Sequence, residues 1–197
     1  EGVSSVVDGQ VKLTQARFNI ISEAPTPEPS STSSESSDGV KLTDLATVRN
    51  LSVGVAESGL PVRIRTTVTC AETDEYLLFV EDESGGLYVH PNGLPLDLVA
   101  GDRIELEGVT AAGDFAPIIR ATNVASIGKQ RVSDPKPVSM DDVYSGSEDS
   151  QHVRLQGVIR KIVEKDHYLV LSLALMGDVL QVFLPNRNNA PIPRELV

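Results

Sequence analysis

Residues 60–70 alternate with a period of two. Val62, Ile64, Thr66, Val68 and Cys70 fall on one side, and Arg63, Arg65, Thr67 and Thr69 on the other. Successive side chains of a strand project to opposite faces, so this pattern demands an extended segment with one buried face. Shorter runs of strand character follow at 76–80, 87–90, 103–109 and 118–124. Between them stand breakers. Glu81-Asp82-Glu83 followed by Ser84-Gly85-Gly86 marks a tight hairpin. Residues 91–95 carry two prolines, residues 96–99 are compatible with a helical turn, and Ala100-Gly101-Asp102 and Gly113-Asp114 are turns. Short strands with a hairpin after the second and a longer connection after the third fit a small closed barrel. Its core must be aliphatic, because the chain has no Trp and only four Phe and four Tyr.

The tripeptide Glu107-Gly108-Val109 recurs at the start of the chain as Glu1-Gly2-Val3. Both copies lead through a small polar loop to an apolar strand with a basic residue, then to a proline-rich exit. Residues 24–39 (APTPEPSSTSSESSDG) are acidic and rich in Pro, Ser and Thr, a composition that cannot bury a core. A shorter stretch of similar character lies at 130–138. After each comes a short capped helix. One covers 42–49 with Thr43 as N-cap; the other covers 138–144, where Ser139 caps and Asp142 completes a capping box. Each helix leads to a strand, 62–65 and 153–156. A long strand over 153–163, bent at Gly157, then continues into strands at 168–174 and 179–184.

The division expected is therefore residues 1–25 as the C-terminal strands of a preceding barrel, 26–39 as a linker and 40–128 as a complete barrel. Residues 129–138 form a second linker, and 139–197 hold the first strands of a further, incomplete barrel. Two other arrangements are compatible with the residues. The first 25 residues supply the missing strands of the last unit in a permuted or swapped way, or the ends stay open.

The segments GLPVRIRTTVTC, YLLFVEDESGGLYVHPNG, AGDRIELEGV and DFAPIIRATNVASIG resemble the OB-fold modules found in extracytoplasmic regions of bacterial signalling proteins. In many of those, tandem barrels precede a transmembrane helix and a histidine kinase, and similar modules occur in secreted bacterial nucleases. The resemblance covers residues 40–184, and Ser145-Gly146-Ser147-Glu148-Asp149-Ser150-Gln151 is similar to the lead-in to a second barrel. It implies an all-β fold, a tandem of five-stranded Greek-key OB barrels with short connecting helices. It also implies a periplasmic or extracellular, non-catalytic sensory or spacer role, and it supplies no catalytic residues to carry over. The alternative function is an oligonucleotide- or oligosaccharide-binding module accessory to a secreted enzyme.

Candidate chemistry is sparse. A net charge of −11, from 28 acidic and 17 basic residues, argues against broad binding to a phosphate backbone, which needs a basic face. Arg63, Arg65, Tyr88 and His90 lie on the outward phase of the first and third barrel strands, where OB barrels bind ligands with cations and stacking aromatics. Phe115 follows a turn and either caps the barrel mouth or fills the core. Glu105 and Glu107 share the outward phase of the fourth strand and oppose an anionic ligand. The carboxylates Glu81, Asp82 and Glu83 suit a divalent cation, although a charge run at a hairpin tip is more often simply solvated. His90, His152 and His167 have no metal-ligand spacing, so neither metal nor cofactor is expected. The single cysteine, Cys70, reads as a buried thiol at the inward phase of its strand. No Ser-His-Asp grouping or phosphate-binding glycine loop is present. The expected partner is an unidentified small molecule, oligosaccharide or protein.

Overall fold

The computed structural model describes residues 2–7, 10–14, 41–72, 76–95, 97–114, 116–175 and 177–186. The first elements are β1 (Gly2–Val7), β2 (Gln10–Thr14), α1 (Leu45–Arg49) and α2 (Val53–Glu57). Then come β3 (Pro61–Glu72), β4 (Leu77–Asp82), β5 (Gly85–His90), β6 (Asp102–Ala111) and β7 (Ile118–Lys129). These five strands form a closed barrel in the order β3-β4-β5-β7-β6. All neighbours are antiparallel except β5 and β7, which pair in parallel at Val89–Ile119 and His90–Arg120. This is the five-stranded Greek-key barrel of the OB type, and the chain is all-β in class.

The barrel closes because each strand presents aliphatic residues to one bore. Val62, Ile64, Val68, Leu78, Val80, Leu87, Val89, Ile104, Leu106 and Ile119 form that core, each at most 2% exposed. Leu45 and Val48 of α1 pack into the same cluster. The cap of α1 is Asp44, one residue beyond the expected Thr43: its carboxylate accepts the Thr47 amide at 2.7 Å. The second short helix, α2, was not legible in the sequence. Its Ala56 is buried, and the Ala56 carbonyl accepts the Thr110 hydroxyl at 2.8 Å. Residues 97–99 form no helical turn; the Val99 amide donates to Asp102 instead, at 2.8 Å.

The alternation of β3 breaks midway. Its pairing with β4 shifts register between Val68 and Cys70. One extra residue in a ladder reverses the phase of everything beyond it. Ala71 therefore joins the bore, while Cys70 lies in a separate cluster with Phe79, Leu77 and Tyr88. The expected burial of Cys70 holds, but its expected inward phase does not, because the bulge intervenes. Thr67 and Thr69 are buried too, so this half of β3 is covered on both faces.

The chain continues with β8 (Lys136–Pro137), α3 (Met140–Ser145), β9 (His152–Arg154), β10 (Val158–Lys165), β11 (Tyr168–Leu175) and β12 (Asp178–Pro185). Ser139 and Asp142 form the expected capping box on α3. The expected long strand divides into β9 and β10 around residues 155–157. A Cβ on Gly157 would lie 2.6 Å from the Ala174 carbonyl oxygen, so the bend lets two backbones approach where no side chain fits.

β1 and β2 join this second unit. The sheet order is β10-β11-β12-β2-β1-β9-β8, with β2 parallel to β12 and β1 antiparallel to β9. β1 and β2 thus pair as the permuted or swapped arrangement has them; residues 15–40 lie outside the described set. The registers repeat those of the central barrel. Gly2 stands opposite Val153 as Gly108 stands opposite Val62. Val3 faces Thr14 as Val109 faces Arg120, and Leu13 lies beside Val182 as Ile119 lies beside Val89. Gly2 and Val3 of the recurrence thus hold ladder positions matching those of Gly108 and Val109.

Candidate functional site

The sequence-predicted ligand residues fall into separate groups. Arg63 and Arg65 project outward from β3 toward β6, whose Glu105 and Glu107 stand opposite them in register. Arg63 donates to Glu105 at 2.7 Å and approaches Glu107 at 3.5 Å, and Arg65 donates to Glu105 at 3.1 Å. Hydrogen bonds from Arg63 and then Arg65 hold the Glu105 carboxyl below its usual range, and Glu105 raises Arg63 in turn. These arginines are engaged with acidic neighbours. A phosphate or carboxylate ligand would have to displace those carboxylates first.

Tyr88 lies on β5, opposite Phe79 of β4, with ring centroids 5.3 Å apart and planes tilted by 52°. Its hydroxyl donates to the Tyr76 carbonyl at 3.2 Å, and burial raises its pKa. Its ring thus belongs to the Cys70–Phe79 cluster more than to an open stacking surface. His90 accepts the Asn92 amide at Nδ1, 3.0 Å away, which anchors the loop after β5. Arg63 and Arg65 sit on β3 beside β6, and Tyr88 and His90 sit on β5, with β4 between β3 and β5. Phe115 lies outside the described residues.

The acidic hairpin at the end of β4 has a different use. Glu81 is 7% exposed, and its two oxygens accept the Ser133 amide at 2.6 Å and the Ser133 hydroxyl at 2.9 Å. Asp82 accepts the Ser84 amide and hydroxyl at one oxygen and the Leu45 amide, at 3.3 Å, at the other. Arg49, in the last turn of α1, donates to the Ser84 carbonyl at 3.2 Å. Among the described residues, no group of three acidic, His or Cys side chains is arranged to hold a metal ion.

On the far side of the hairpin stands Gln151, which ends the 145–151 lead-in. Its carbonyl oxygen accepts the Gly86 amide at 2.9 Å, and its amide donates to the Gly86 carbonyl at 3.1 Å. Gly86 faces Glu81 across the hairpin, and β5 meets β7 only at Val89 and His90. The backbone of Gly86 therefore turns to an edge that β7 does not reach. There the primary amide of Gln151 supplies one donor and one acceptor, as a strand would. A third hydrogen bond runs from the Gln151 side-chain amide to the Asp149 carbonyl at 3.0 Å and sets its direction. Gly86 is required by the close approach of a backbone, and Gly85 by its φ of +131°. A Cβ on Gly86 would collide with the Ser150 carbonyl, and one on Gly85 with the Arg49 guanidinium and Gln151. Nearby, His152 Nδ1 contacts the Ser133 carbonyl at 3.1 Å, and Lys136 pairs with the buried Glu148 at 2.6 Å.

This clasp, made of Arg49, Glu81, Gly86, Ser133 and Gln151, joins the central barrel to the segments before and after it. Sequence reasoning found the hairpin and the lead-in separately. The adjacent Gly85-Gly86 was the available signal: Gly85 takes a φ of +131° and Gly86 admits a close neighbour.

Neither a family model nor a curated protein matches the chain. A solved structure similar to it is that of the hypothetical protein ygiW from E. coli, at 16% identity and a TM-score of 0.35, covering 45% of this chain and 91% of that one. No helix among the described residues is long and apolar enough to cross a membrane.

Proposed function

We propose that this chain is a non-catalytic spacer or sensory module of an extracytoplasmic signalling protein, such as the input region of a sensor histidine kinase. In this reading the second unit is a barrel of the same OB plan. The module works by holding consecutive barrels at a fixed angle, so that a displacement at one end reaches the other. The clasp at Gly86 carries the reading. It commits the most acidic loop of the central barrel, and one side of its β5 edge, to internal joints. The pairing of Arg63 and Arg65 with Glu105 supports it against the alternative of an oligonucleotide- or oligosaccharide-binding module. A cationic groove with its cations engaged attracts anions weakly.

Spin labels at Arg103 and Glu164, one on each unit and both exposed, test the reading. A single narrow distance distribution is expected, broadening in Gln151→Ala. A broad distribution in the unaltered chain rules out a rigid spacer. For the alternative, labelled single-stranded DNA at low salt is the probe. No anisotropy change is expected, and binding lost in an Arg63→Ala, Arg65→Ala double variant would favour the oligonucleotide reading.

A further inference from the structure

We propose that β1 and β2 are a donor pair of strands, able to close the second unit of another copy of this chain as well as of their own, so that copies link by strand exchange. The proposal rests on strand pairing and is independent of any ligand. β1 and β2 pair with each other over Val3–Thr14 to Val7–Gln10, and they meet the rest of the sheet only as a two-stranded insert. β1 docks antiparallel on β9 through Gly2–Val153 and Val3–His152. β2 docks parallel on β12 through Gln181–Lys12, Val182–Leu13 and Phe183–Thr14. The insert fills the places that β6 and β7 fill in the central barrel, with the same registers.

The receiving unit is thus specified by β9 and β12, and nothing in these ladders requires donor and acceptor to be one molecule. An unfilled slot would leave two strand edges with open amides and carbonyls, a template for any matching pair of strands. In the chain, residues 15–40 separate the donor pair from Lys41. At about 3.3 Å per residue such a segment reaches on the order of 80 Å when extended, enough to reach a neighbouring molecule. Its sequence carries Phe18, Ile20 and Ile21 at the start and no aliphatic or aromatic residue from Pro25 to Gly39. Reciprocal exchange closes two copies into a symmetric swapped dimer, and one-way donation extends into chains or larger rings.

Cysteine pairs distinguish the cases in the full chain. Val3→Cys and His152→Cys occupy directly opposed positions. One preparation carries both changes; another mixes the two single variants at high concentration before oxidation. Exchange predicts a disulfide-linked dimer in the mixture, several-fold above a mixture of Val3→Cys with Glu164→Cys. The double variant is expected to close within or between molecules. A dimer yield equal to that control, with closure confined within the double variant, overturns the exchange. Failure of the double variant to close at all overturns the docking itself. The unaltered chain, with Cys70 alone, sets the background.

Discussion

The decisive residues of this molecule are small or polar ones that let backbones meet. Gly86 is the clearest, since the Ser150 carbonyl occupies the place of its missing Cβ. Gly86→Ala is expected to lower stability by about 1–3 kcal/mol, the usual cost of forcing atoms into filled space. Urea unfolding followed by far-UV circular dichroism would measure it; Gly54→Ala, where the added methyl meets nothing within 4 Å, is the control and should cost far less. Glu105 gives a prediction in pH. Its folded pKa is lowered by Arg63 and Arg65, so its contribution is complete above the ordinary carboxylate range and is lost as pH falls through the folded value. Because the arginines are exposed, that contribution stays below about 1 kcal/mol. The stability difference between the unaltered chain and Glu105→Gln should therefore be small at neutral pH and vanish in acid. A difference that grew on acidification would contradict the assigned sign. The outward phase of Arg63, Arg65, Glu105 and Glu107 was readable from alternation alone. Their mutual pairing was not, because register between β3 and β6 is a property of two distant strands.

At the scale of elements, local chemistry was most legible where the signal is short-range. The capping box of α3 is spelled by Ser139 and Asp142, and the structure forms it. Ser139→Ala should destabilise the second unit by about 1 kcal/mol, read in the same unfolding experiment. The bulge in β3 was hidden, because Thr69 fits either phase and only the partner strand reveals that it is the extra residue. Its consequence is chemical. Cys70 sits fully buried beside Phe79 outside the bore. A thiol reagent should leave Cys70 unmodified in the native chain and label it only as the barrel unfolds; fast labelling under native conditions would mean that the covered outer face is open. The first helix, the hairpin and the five barrel strands were located within a few residues of where they lie. The short helix α2 was missed because its five residues, VGVAE, space the valines two apart around a glycine, which leaves no helical apolar stripe to read.

For the molecule as a whole, the acidic hairpin of the barrel is a joint, closed by a side chain from the next unit standing in for a strand. The pattern of repeats suggested two similar units, but not which residues bind them. Gln151 carries no sequence signature of its role, since its function depends on the edge that β7 leaves free. The Gly86 amide reports on this directly. It donates to Gln151 at 2.9 Å and lies at the edge of a barrel whose interior is fully buried. Residue-resolved amide hydrogen exchange should find Gly86 protected in the unaltered chain. In Gln151→Ala that protection should fall at Gly86, with the core amides of β4 and β6 unchanged. Rapid exchange at Gly86 in the unaltered chain, or protection unaffected by loss of the Gln151 amide, would contradict it.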